Sequence, residues 1–128
     1  MTSSCDWMRF IGLPYKLGAD PLNGQATDCL HLCFRTIEMG PVPVPPIKRQ
    51  WYLHLARKEL EPIIEDWFEL TEQTNGPEDY AMTLLKDEGN FSIATVIDDG
   101  LLFVRRSTGA AWAPLSSLRP MNFRRFPT

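Results

Sequence analysis

The side chains able to do nucleophilic or acid–base chemistry near neutral pH are few: three cysteines (Cys5, Cys29, Cys33) and two histidines (His31, His54). Cys29 is the best placed of them. It follows Asp28 at the start of DCLHLCFRTIEM, where a helix is expected. A thiol in the first turn of a helix feels unpaired N–H groups and the positive dipole end, which lower its pKa from about 8.5. The same N–H groups can hold an oxyanion in acyl transfer. Any cysteine on an apolar helix also has a plainer reading, a small thiol packed in a core. His31 stands two residues further on, about 200° around a helix, so its imidazole points away from Cys29 and is expected to be a partly exposed or hydrogen-bonded structural group. His54, in WYLHLARKEL, reaches Cys29 only if its own helix folds over the groove. Zinc at Cys29 and Cys33 needs two further ligands, and only Cys5 and one histidine are available, so two packed thiols are the simpler reading. Neither metal nor cofactor is expected. Asp98-Asp99-Gly100, which resembles a cation loop, is explained by a hairpin turn.

The elements that must position Cys29 follow from local patterns. Ser3 or Ser4 can cap a short helix carrying Trp7, Met8, Phe10 and Ile11, and LGADPLNGQAT is a loop rich in turn residues. Asp28 or Thr27 caps the central helix and Gly40 closes it; Cys29, Leu32, Cys33 and Ile37 share one face. PVPVPPIK is an extended connector, since its prolines exclude a central helix or strand. Residues 49–58 predict a helix interrupted near Pro62, residues 63–72 a second one, and residues 73–79 a polar loop. AMTLLKD, FSIATVIDDG and LLFVRR then read as strands, with turns at Glu88-Gly89-Asn90 and Asp99-Gly100, followed by strands near 111–114 and 121–126. Helices first and strands afterwards predict an α+β fold, N-terminal helices packed on a C-terminal antiparallel sheet of four to five strands.

With 128 residues the chain fits one domain over 1–128, able to bury about two-thirds of its unfolded surface without a staple. A net charge of −3 argues against nucleic acid as a partner. No apolar run suits a signal peptide, a lipid anchor at Cys5 or a membrane span, and three cysteines do not suggest a disulfide framework. Folding in a reducing cytoplasm is expected. Residues 59–79 are acidic, while Arg105, Arg106, Arg119, Arg124 and Arg125 make the C-terminal third basic; two solvated faces of opposite sign are the expected reading.

FIGLPYKLGADPLNGQATDCLHL resembles the signature of the NlpC/P60 family of papain-like cysteine peptidases, through Gly12, Pro14, Tyr15, Gly18, Asp28, Cys29 and Leu32. FSIATVIDDGLLFVRR is similar in pattern to that family's strand pair around an Asp-Gly turn. The resemblance implies a papain-like fold with Cys29 at the nucleophile position and Tyr15 and Asp28 in the site. It puts Ser92 at the position of the general-base histidine and Val104 at that of the residue orienting the base. The Ser-Gly usual after the nucleophile is Leu30-His31 here. A serine does not take a proton from a thiol near pH 7, and valine orients nothing.

Gly40-Pro41-Val42-Pro43 after the helix, Trp112 and Leu115, and the tail with Phe123 and Arg124 look most like the compact branch found in phage tail and prophage proteins. The resemblance therefore implies a degenerate, structural component of a phage tail tip or baseplate, made in the bacterial cytoplasm and carried in the virion. Its partners would be other tail or baseplate proteins, with peptidoglycan a further one, but neither nucleic acid nor membrane. The rival expectation is a peptidoglycan-cleaving cysteine endopeptidase with Cys29 as nucleophile. Without a base, no open substrate groove is expected; residues 41–46 and Arg119, Arg124 and Arg125 are instead expected at subunit contacts.

Overall fold

The helix expected at the cysteine forms as α1 (Cys29–Glu38). Asp28 is its N-cap, with extended backbone, and its carboxylate accepts from the N–H of His31 at 2.7 Å, one of the donors that a helix start leaves orphaned. At the other end the Gly40 N–H donates to the Ile37 carbonyl. A Cβ at Gly40 would sit 2.6 Å from the Tyr80 ring, so close approach, not a left-handed backbone, calls for glycine there. The computed structural model describes residues 6–128, so the caps at Ser3 or Ser4 and the thiol of Cys5 lie outside the described residues.

Two further helices follow the proline connector: α2 (Arg49–Ala56) and α3 (Glu61–Leu70). Pro62 does not interrupt a helix. It sits in the first turn of α3, where the missing N–H has no intrahelical partner to lose. In the connector itself Val42, Val44 and Ile47 pack against the core, while Pro41, Pro43 and Pro46 face solvent.

The sheet has six antiparallel strands rather than four or five: β1 (Glu72–Gln73), β2 (Met82–Asp87), β3 (Asn90–Ile97), β4 (Gly100–Arg105), β5 (Gly109–Pro114) and β6 (Met121–Arg125), in the order β1-β6-β2-β3-β4-β5. The strand missed in sequence is β1, two residues long and too short to show a period. The α+β class and the antiparallel sheet are as expected. The hairpin tip is not. Ile97 pairs with Gly100, so the two turn residues are Asp98 and Asp99, at φ 51 and 62. Gly100 already belongs to β4, where a Cβ would lie 2.4 Å from the Trp112 indole.

Alternation along the strands sorts the core. Thr95, Ile97, Leu102 and Val104 face α1, whereas Ala94, Val96, Leu101 and Phe103 pack on the other side with Leu115, Leu118 and Phe123. α1 is covered on two flanks. Leu30, Cys33, Phe34 and Ile37 join Trp51, Ile63, Trp67 and Phe126, and Leu32 joins Trp7 and Phe10. Its buried surface is therefore wider than the single face predicted.

The charge blocks also differ from expectation. Glu72 is the register partner of Arg125, whose guanidinium pairs with Glu72 and Glu78 at 3.1 Å each. Arg124 donates to the carbonyls of Phe68 (3.1 Å) and Thr71 (2.9 Å) and to the Thr71 hydroxyl (2.7 Å), and lies over the Phe68 ring. A cation there satisfies the orphan carbonyls of α3 and meets the negative end of its dipole. Glu72 and Glu78 thus meet Arg125 in a seam along β1 and β6, while Arg105, Arg106 and Arg119 of the basic segment lie outside it. Arg124 and Arg125 are engaged within the chain, contrary to a role as free anchors for an acidic partner.

Candidate functional site

The first turn of α1 presents two unlike surroundings. On one flank Asp28, 1% exposed, is the centre of a polar cluster. Its Oδ2 accepts from the Gly18 N–H and the Tyr52 hydroxyl, both at 2.8 Å, and its Oδ1 lies 3.1 Å from His31 Nδ1. The Tyr52 hydroxyl is also 2.7 Å from the same Nδ1. One proton arrangement satisfies all of these. Tyr52 donates to Asp28, and the Nδ1–H of His31 donates to the Tyr52 oxygen with Asp28 Oδ1 beside it. The reverse tautomer would set a bare nitrogen against a carboxylate. Burial and the Asp28 charge push the Tyr52 phenol above its ordinary range, so it stays a donor.

On the other flank is Cys29, which meets β3. Burial pushes its thiol above the ordinary value, and the Asp28 charge raises it further. The Ile93 N–H, the Ser92 hydroxyl and the Arg106 charge oppose this without overcoming it. Cys29 is half-buried at the rim of two cavities, and no charged group beside it draws the thiol down to a thiolate at neutral pH. Cys33, one turn on, is pushed up to about 12 by burial.

The pairing between β3 and β4 stops at Thr95 with Leu102, although β3 extends back to Asn90 and β4 forward to Arg105. The two strands part beside Cys29. The gap holds a small cavity of ≈ 20 Å³, lined by Tyr15, Cys29, Ser92, Val104, Asp87, Asn90, Phe91 and Arg106, with room for about one water. The structure thus brings Cys29, Ser92, Val104 and Tyr15 to one place. Asp28 lies next to them but turns its carboxylate to the other flank. The Arg106 guanidinium lies 4.8 Å from the Tyr15 ring centroid.

Neither histidine serves the thiol. His31 is held by Asp28 and Tyr52, as a structural group. α2 does fold over this region, with Trp51 and Leu55 turned to the cleft described next, but His54 pairs with Glu59 at 3.1 Å. Among the described residues no cluster of three or more histidine, cysteine or acidic side chains could hold a metal, and no helix is long and apolar enough to cross a membrane.

Against the expectation of a closed groove, an apolar cleft of ≈ 280 Å³ opens on Cys29. α1 contributes Leu30, α2 Trp51 and Leu55, and α3 Ile63, Ile64 and Trp67; Leu60 precedes α3, and the sheet supplies Leu84, Phe91 and Ile93. Its polar groups are the Cys29 thiol, the Ser92 hydroxyl and the indole N–H groups of Trp51, which donates to Asp66, and Trp67, which has no partner among the described residues. Sequence reasoning missed Tyr52, Arg106 and this cleft. The helical period of α2 and α3 marked Trp51, Leu55, Ile63 and Trp67 as apolar faces, but nothing local said that they would leave space between them. No local signal pointed to Tyr52, 24 residues from Asp28.

Fold and site define an α+β domain with a capped, helix-terminal thiol and no imidazole beside it. No protein-family model matches the chain, and no curated protein matches it.

Proposed function

We propose that this protein is a degenerate NlpC/P60-like domain with a papain-like fold, serving as a structural component of a phage tail tip or baseplate. One observation carries the non-hydrolytic part of this reading: Ser92 and Val104 stand beside Cys29, and both histidines are engaged elsewhere. Without a base the thiol stays protonated, and no group is placed to return a proton to a leaving amine. The place in a tail rests on the resemblance of the sequence. The outward prolines of residues 41–46 suit a subunit contact, since an extended segment loses little entropy on docking. Arg119, exposed and without an ion pair among the described residues, replaces Arg124 and Arg125 as the cation available to a neighbour.

The rival reading, a peptidoglycan endopeptidase, draws support from the open cleft beside Cys29. Incubating purified protein with peptidoglycan separates the two. No soluble muropeptides are expected from either the native chain or Cys29→Ala; release by the native chain that Cys29→Ala abolishes would overturn the scaffold reading. In a purified particle the protein should bury more than about 1,000 Å² against its neighbours.

A further inference from the structure

The cleft on Cys29 and the small cavity between β3 and β4 are continuous in their lining: Cys29, Phe91 and Ser92 belong to both. Their chemistry is opposite. The cleft is walled by aliphatic and indole side chains, so a group inside it gains by burial and finds almost nothing to hydrogen-bond. The small cavity leads to Arg106, which is exposed and makes no ion pair among the described residues. Asp87, which also lines the small cavity, is neutralised by Arg105 at 3.2 Å, so Arg106 is the unpaired cation in the cavity lining itself, with Lys86 further out over the Phe91 ring. A benzene-sized guest fills an apolar cavity of about 150 Å³. At ≈ 280 Å³ the cleft is too large for one ring and has room for about ten carbon atoms.

From this arrangement we infer that the paired cavities form a binding site for a free single-chain aliphatic carboxylate of medium length. The chain lies among Trp51, Leu55, Ile63 and Trp67, and the carboxylate sits at Ser92 with one oxygen in the single-water cavity that Arg106 lines. No bond forms or breaks. The inference does not depend on the proposed tail or baseplate role, because it rests on cavity shape and charge alone.

Calorimetric titration with sodium decanoate, below micelle formation, tests it on the full chain. Saturable one-to-one binding is expected, accompanied by a change in tryptophan emission, since Trp51 and Trp67 line the cleft. Arg106→Gln should weaken decanoate about tenfold, the loss of a charge-assisted contact, and leave decanol unchanged. Leu55→Trp, or Leu60→Phe should the first variant not fold, should abolish binding of both by filling the cleft. Vesicles of phosphatidylglycerol should not retain the protein. Absence of saturable decanoate binding would overturn the inference and leave the cleft to an apolar side chain of a partner protein. Binding insensitive to the filling variants, decanol bound as tightly as decanoate, or retention on vesicles would each overturn it too.

Discussion

On one flank of the first turn of α1, Asp28, His31 and Tyr52 close a hydrogen-bonded cluster in which each polar atom named has a partner. On the other flank, Cys29 meets Ser92, Val104 and an apolar cleft. The acid–base groups are thus hydrogen-bonded to one another and to the helix start, and not to the nucleophile. A carboxylate, an imidazole and a thiol within four residues look like catalytic equipment when read as a list. In space the carboxylate and the imidazole build the helix start, and the thiol has no imidazole or carboxylate bonded to it among the described residues.

The contrast is broken most severely at Asp28. Asp28→Ala removes the N-cap and strands the Gly18 and His31 N–H groups and the Tyr52 hydroxyl in a buried place. Denaturant unfolding should show a loss of about 3–5 kcal/mol. A loss under about 1 kcal/mol would mean that the cluster does not hold the helix.

Alkaline titration probes both flanks together. The Cys29 and Cys33 thiols and the Tyr52 phenol have folded pKa values above their ordinary ones. The unfolded chain therefore releases these protons first. Stability should be flat up to about pH 8, then fall above about pH 9 through the thiols and above about pH 10 through the phenol as well, by up to about 1.4 kcal/mol per pH unit for each group. Cys33→Ala should flatten that slope by one proton; an unchanged slope would contradict the raised thiol.

Ser92→His would supply the missing base where strand β3 meets the thiol. Alkylation of Cys29 at pH 7, slow in the native chain, should accelerate at least about tenfold. No acceleration would show that Val104 leaves the new imidazole unoriented or that it turns away. Tyr52→Phe sharpens the opposite flank, removing the hydroxyl between Asp28 and His31 at a cost of about 1 kcal/mol without altering Cys29 alkylation. The smallest effect is expected at His54, paired on the surface with Glu59. His54→Ala should stay within about 0.5 kcal/mol of native stability and leave thiol reactivity unchanged.

Much of this could be read from residue order because it is decided within a few residues. Asp28 before an apolar helical period set the start of α1, and the apolar, β-branched runs FSIATVI and LLFVRR marked β3 and β4 as strands. The chain's two histidines also limited the possible bases before any geometry was known. The Asp99-Gly100 signal points one residue past the turn that joins β3 and β4. Asp-Gly is a strong local signal, but Gly100 was needed under Trp112, and the pairing of Ile97 with Gly100 moved the turn onto two aspartates.

Tertiary structure alone decided the rest. Tyr52 reaches Asp28 across 24 residues, and Arg124 reaches Thr71 across 53, joining segments whose spacing carries no periodic signal. The seam of Glu72 with Arg125 exists because β6 returns beside β1, which no local charge pattern specifies. The cleft is the same kind of fact at larger scale. Apolar periodicity states which faces of α2, α3 and β3 leave water, but whether three such faces meet or stand apart depends on side-chain volumes and strand registers together, and only the folded chain sums them.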